Sequence, residues 1–360
     1  MTFRPFAGTL LLAAACGGGE PKEWPQTTFV LPPDTVLTRY VNVPEAAALG
    51  GGRWVVAAPE FNEAAIVDFN TRTVRVLGGR GDGEIRNPYG VFVAGDTAFV
   101  ADWALRRLTR WSAEGKPGGA IAAPDALRGL LPSGRDAAGN YYFLVKPPPG
   151  RDGSGNRDSA SVVRAPADLA RFDTVARLSP LDMAEVEDRS GRRFERRVFS
   201  GEDHWGLLAD GTVWVARPYQ NYIWRRTAAG DEQHGPRLPD RVIEVTWSDR
   251  DHFLLQFPED QRAAAEMLPW SPLKPPFENA IATPGGWVWL EKSRPVVDSV
   301  RTYQVIAPSG ALSHLVVYPS RQGRVIALTD SLALVAEQYK DGVRLMQVPV
   351  PAVPSLPGAK

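Results

Sequence analysis

Six short apolar segments recur along this chain and limit what it can fold into. They are Trp54-Val55-Val56-Ala57, Ala98-Phe99-Val100-Ala101, Tyr141-Tyr142-Phe143-Leu144, Val213-Trp214-Val215-Ala216, Val288-Trp289-Leu290 and Leu332-Ala333-Leu334-Val335. Most follow a turn pair: Gly51-Gly52, Gly95-Asp96, Gly139-Asn140, Asp210-Gly211 or Gly285-Gly286. Each reads as the same strand of one repeated unit, with Val55, Phe99, Tyr142, Trp214, Trp289 and Ala333 equivalent. The steps between them are about 44, 43, 72, 75 and 44 residues, and about 40–45 residues is the size of a four-stranded propeller blade. Each long step is one period plus an insertion of about 30 residues. The expected fold is all-β: a six-bladed β-propeller of four-stranded antiparallel blades with a short helix-containing insertion.

Composition agrees with one large core. Of 360 residues, 44% are hydrophobic and 23% charged, the ordinary globular mix. Glycine and proline are plentiful, as many short strands and turns require. The formal net charge is zero, which argues against nucleic acid as a partner, because phosphate binding wants a basic field. Arginine far outnumbers lysine, which suits forks for carboxylate or phosphate but also follows from codon bias.

The N-terminus reads as an address. Thr2-Phe3-Arg4 precedes an apolar run from Phe6 to Ala15, too short to span a bilayer and right for a signal segment. It ends in Ala13-Ala14-Ala15-Cys16-Gly17, which resembles a bacterial lipobox, and Cys16 is the only cysteine. Residues 1–16 are therefore read as a lipoprotein signal with Cys16 as the lipidation site. Residues 17–33 are read as a flexible tether, 34–351 as the propeller and 352–360 as a disordered tail. The expected location is the cell envelope, as an outer-membrane lipoprotein or a periplasmic protein, held to the membrane by its anchor alone.

The blades fall in order. Asp34 to Val43 alternates at period two and is expected to close the ring by completing the last blade. Blade one runs from about Glu45 to Arg75, blade two from Tyr89 to Ile121, and blade four from His204 to Gly230. Blade three is built on Tyr141–Val145 and resumes at Ser161 after a Pro- and Gly-rich loop. Blade five covers about Ala280 to Leu315 and blade six Arg324 to Val350. Ala184 to Phe199 places acidic residues before Ser190-Gly191 and arginines after it, which predicts a solvated hairpin. The insertion from Asp249 to Glu278 predicts a helix opening at Pro258, then an extended proline-rich segment packing over one face of the ring through Trp270 and Phe277.

Blade two carries a family resemblance. Gly79-Arg80-Gly81-Asp82-Gly83-Glu84, Asn87-Pro88-Tyr89-Gly90-Val91, Ala98-Phe99-Val100-Ala101-Asp102 and Leu108-Thr109-Arg110-Trp111 together resemble an NHL repeat. The whole chain resembles bacterial six-bladed propeller lipoproteins related to NHL proteins. A strand, not a helix, follows the glycines, so they do not read as a phosphate loop.

Antiparallel blades put the start of each first strand and the end of each second strand on one face. The candidate ligand-binding residues gather there: Asn87, Tyr89, Asp102, Lys146, His204, Trp205, Arg217, Tyr219 and Glu291. Lys146 and Arg217 suit a polar or carboxylate-bearing ligand, on which Trp205 or Tyr219 could stack. Of four histidines only His204 falls at a channel position, so the three-histidine zinc site that NHL-type lyases imply is not expected. Asp102, Glu60, Glu291, Asn87 and Asn279 could offer oxygens to calcium. No Gly-x-Ser-x-Gly elbow occurs. The reading is a monomeric binding module for an envelope protein, peptide or saccharide, without catalytic residues, metal or cofactor. The alternative is a calcium-assisted hydrolase or lyase with its site in the channel.

Overall fold

The structure is a computed structural model, and it describes residues 24–31, 34–78, 84–150, 153–188, 191–340 and 342–353. Cys16, the glycine-rich stretch 79–83 and most of the expected tail lie outside these residues.

Six small antiparallel sheets form the ring, five of them with their four blade strands in chain order from the axis outwards and the sixth completed on its outside by an N-terminal strand. Blade one comprises Glu45–Gly50, Arg53–Ala58, Glu63–Asp68 and Thr73–Leu77; blade two comprises Pro88–Ala94, Thr97–Asp102, Arg107–Ser112 and Pro117–Ala122. Blade three comprises Gly134–Arg135, Tyr141–Val145, Ser161–Ala165 and Asp173–Arg177; blade four comprises His204–Leu207, Val213–Arg217, Tyr222–Arg226 and Glu232–His234. Blade five comprises Phe277–Ala282, Val288–Lys292, Arg301–Ile306 and Leu312–Tyr318. Blade six comprises Gly323–Leu328, Leu332–Tyr339 and Gly342–Pro349, and Asp34–Leu37 pairs antiparallel to the last of these as its outer strand. The fold is a six-bladed β-propeller, and the N-terminal strand closes it as expected.

The six recurrent segments are the second strands. They lie between neighbouring blades on both faces, and so read as near-continuous apolar runs rather than alternating ones. Val55, Phe99, Tyr142, Trp214, Trp289 and Ala333 are all buried. Each of the six junctions between adjacent blades holds its own apolar cluster. The closing junction joins Trp54 and Val67 of blade one to Leu334 and Leu345 of blade six, and Trp54 Nε1 also donates to Gln347 Oε1 at 2.9 Å. First strands are crowded towards the axis and use small residues. At Gly206 an added Cβ would lie 2.6 Å from the Trp214 ring.

Two elements depart from the sequence reading. Within the expected tether, Gln26–Thr28 forms a fifth strand on blade five, parallel to Leu312–Tyr318. Phe29 anchors it, buried between Trp289 and Tyr318 with ring centroids 5.9 and 5.7 Å away. The insertion holds two helices, not one. Helix α1, Trp247–Leu254, is opened by a capping box in which Thr246 and Asp249 exchange hydrogen bonds. Helix α2, Glu259–Glu266, starts after Pro258 as expected. Trp270 packs against Phe253 within the insertion at 5.3 Å and against Phe199 at 5.9 Å, which ties the insertion to the segment leading into blade four. Phe277, expected to belong to this cover, is instead the buried first residue of blade five. The charged hairpin is present as Met183–Asp188 paired with Gly191–Arg196. No helix among the described residues is long and apolar enough to cross a membrane.

Candidate functional site

The ladder registers define the face that carries the site. The beginnings of the inner strands sit opposite the ends of the second strands: Pro88 with Asp102, His204 with Ala216, Phe277 with Lys292. We call this the entry face. A cavity of about 630 Å³ opens there between blades one and four. Asn87, Tyr89, Lys146 and Trp205 line it, together with Glu45 and Trp103. A smaller cavity of about 270 Å³ lies beside it, and Lys146 and Trp205 line both. His204 and Asp203 belong to the smaller one. The opposite half of the channel, about 680 Å³, is lined by the inner strands of all six blades and is built mainly of alanine and branched aliphatics.

Two aromatic rings stand at the rim. Tyr89 is 70% exposed and Trp103 52% exposed, with centroids 6.3 Å apart and planes tilted by 47°. Such rings offer a ligand flat area at small entropic cost, beside the Lys146 ammonium and the Asn87 amide. Glu45 enters the mouth as the first residue of blade one, and its Oε2 accepts from Val91 N at 3.3 Å. Water reaches its carboxyl, but the surrounding protein partly desolvates it and pushes its pKa above the usual value. His204 faces Phe277 at 6.0 Å. Burial holds its imidazole below its ordinary pKa, although Glu202 and Asp203 pull the other way.

Four of the nine predicted residues line the larger cavity and His204 lines the smaller. The other four line neither. Asp102 is 0% exposed; its Oδ2 accepts from Arg86 N at 2.6 Å, and its Oδ1 from Asn87 N at 3.2 Å and Leu105 N at 3.0 Å. It fastens the start of one strand to the turn after another. Arg217 clamps blades three and four, donating to Asp203 Oδ2 at 2.8 Å, Ser179 Oγ at 3.2 Å and Arg177 O at 2.8 Å. Glu291 is buried and paired with Arg301. The Tyr219 hydroxyl donates to Gly201 O at 3.2 Å. Glu45 and Trp103 were missed, although the placing rule that found Tyr89 and Asp102 applies equally to the first residue of blade one and the residue following Asp102.

Three of the five residues considered for calcium already have partners for their oxygens. Those of Asp102 are taken by backbone N–H groups, Glu291 by Arg301, and Asn279 Oδ1 by Ala280 N. Among the described residues, no three His, Cys, Asp or Glu side chains form a group that could hold a metal ion.

No family model and no curated protein matches the chain. Solved structures do. A Bacteroides fragilis protein whose name marks it as exported matches at a TM-score of 0.50 and 10% identity, over 90% of this chain and 93% of that one. A gluconolactonase from Xanthomonas campestris matches at 0.45 and 15%, over 88% and 90%. A virginiamycin B lyase from Staphylococcus aureus matches at 0.44 and 11%, over 89% and 97%. The likeness is one of fold.

Proposed function

We propose that this propeller is an exported, lipid-anchored binding module of the NHL-like kind, taking an envelope protein, peptide or saccharide at its entry face. One observation carries the reading: two exposed aromatic rings, Tyr89 and Trp103, stand over a cavity lined by Lys146, Asn87, Glu45 and Trp205. Flat rings beside a few convergent polar groups suit sugar faces and peptide side chains. Tryptophan fluorescence titrated with oligosaccharide and peptide panels tests it. A ligand that quenches the wild type should bind Tyr89→Ala or Lys146→Ala roughly tenfold more weakly, the loss expected when one good contact goes. Equal affinity in both variants would remove the site from this mouth.

The anchor is tested separately. Wild type should fractionate with membranes and Cys16→Ser should be released; a soluble wild type refutes lipidation and leaves the ligand site untouched.

A second reading, a calcium-assisted hydrolase or lyase, has Glu45 in its favour, because a carboxyl at the cavity mouth with its pKa raised by desolvation is the kind of group general acid–base chemistry uses. Turnover of a lactone and ester panel by wild type, lost in Glu45→Gln, would support it. Turnover that survives the substitution removes Glu45 from the role.

A further inference from the structure

A further pocket lies apart from the Tyr89 mouth, between helix α1 and the loop that follows the second strand of blade five. Its volume is about 250 Å³, too small for a drug-sized ligand and enough for one polar headgroup. Lys274, Arg294, Arg301 and Arg321 line it, and Phe199 and Phe253 add an apolar wall.

The charges here do not balance. Lys274 is spent on Asp249 at 2.7 Å and Arg301 on Glu291 behind the wall. Arg294 finds only backbone carbonyls: Nη1 donates to Asp298 O at 2.7 Å and to Val300 O at 3.4 Å. Its Nε and Nη2 have no hydrogen-bond partner among the described residues. The exposed Arg321 side chain has neither a hydrogen bond nor an ion pair among them, and only its backbone oxygen is used, by Arg301. Arg301 Nε–H is buried without an acceptor. Against these donors stands Glu278, a lining carboxylate with no ion pair. The crowding shows at Arg294. Burial first, then Arg301 and to a smaller extent Arg321, hold the Arg294 guanidinium below its ordinary pKa, against the opposing pull of Glu278 and Glu291. Like cations gathered in a half-buried pocket repel each other, and an anion placed among them relieves the repulsion.

We propose that this pocket binds an oxyanion, a carboxylate or a phosphate group, with Arg294 and Arg321 as its donors. Guanidinium forks match the paired oxygens of either group. Arg301, fixed by Glu291, adds charge rather than hydrogen bonds. Removing Glu278 should strengthen binding, because it takes the competing negative charge away. This site does not depend on the reading of the Tyr89 mouth.

The test is thermal unfolding of the whole chain in millimolar phosphate, acetate or chloride at matched ionic strength, with ³¹P line broadening as the second readout for phosphate. Phosphate, acetate or both should raise the wild-type Tm where chloride does not, and the effective anion identifies the source. The Arg321→Gln variant changes an exposed side chain and should fold normally. It should weaken the effect at least about tenfold, as expected when a charged hydrogen-bond partner is lost. Glu278→Gln should shift the response to lower anion concentration. The proposal falls if chloride gives the same shift, if neither oxyanion gives one, or if Arg321→Gln and Glu278→Gln respond as the wild type does.

Discussion

Asp102 and Tyr89 are near neighbours on the entry face with opposite duties. Asp102 is sealed in and satisfies three backbone N–H groups, whereas Tyr89 is mostly in water. Asp102→Ala strands buried donors and is expected to cost about 3 kcal/mol, read from the urea midpoint. Tyr89→Ala is expected to stay within about 0.5 kcal/mol of wild type while losing ligand. The reverse pattern would exchange their roles. His204 contributes to the pH dependence, beside the buried His314, whose pKa burial also lowers. Burial depresses the His204 pKa in the folded chain, while the unfolded imidazole titrates near its usual value of about 6.5. Below that value the unfolded state binds more protons, so stability is full above it and declines as pH falls towards the folded pKa. Unfolding followed between pH 7 and 5 should show this decline, and His204→Gln should flatten it. An unchanged slope would assign the decline to other groups.

Among the elements, the added strand Gln26–Thr28 is the one whose loss can be measured most directly. Phe29 holds it, and Phe29→Ala is expected to cost about 3–5 kcal/mol by emptying a buried aromatic site. A loss below about 1 kcal/mol would mean that the strand is a loose addition to blade five. The sequence hid this strand because it has three residues, sits between prolines and shows no alternation long enough to read. Helix α1 was hidden for a related reason. Trp247-Ser248-Asp249-Arg250-Asp251-His252 has no apolar stripe, because only Asp249 of this helix is buried. Its one local sign was Thr246 three residues before Asp249. The second strands were legible because burial on both faces leaves little choice but apolar residues. The site was legible only in part. Strand order placed Asp102, Arg217 and Glu291 on the entry face, but which side chains were already occupied depends on partners brought alongside by neighbouring strands and loops. Glu291 meets Arg301 across a sheet ladder, and Arg217 meets Ser179 and Asp203 across a blade junction.

For the whole molecule, six junctions each carry a separate apolar cluster, and the ring holds because the last of them is closed by Asp34–Leu37. Most sheet pairing is therefore local, between strands consecutive in the chain, and only the two N-terminal strands, Gln26–Thr28 and Asp34–Leu37, pair with strands near the far end of the chain. Strand Gln26–Thr28 adds an orientation. It runs parallel to the outer strand of blade five, which itself climbs from the far side of the disc towards the entry face. The polypeptide thus joins the ring from below. The chain therefore meets the ring on the aliphatic side of the disc, and the aromatic lip of Tyr89 and Trp103 stands on the other, unencumbered by that approach.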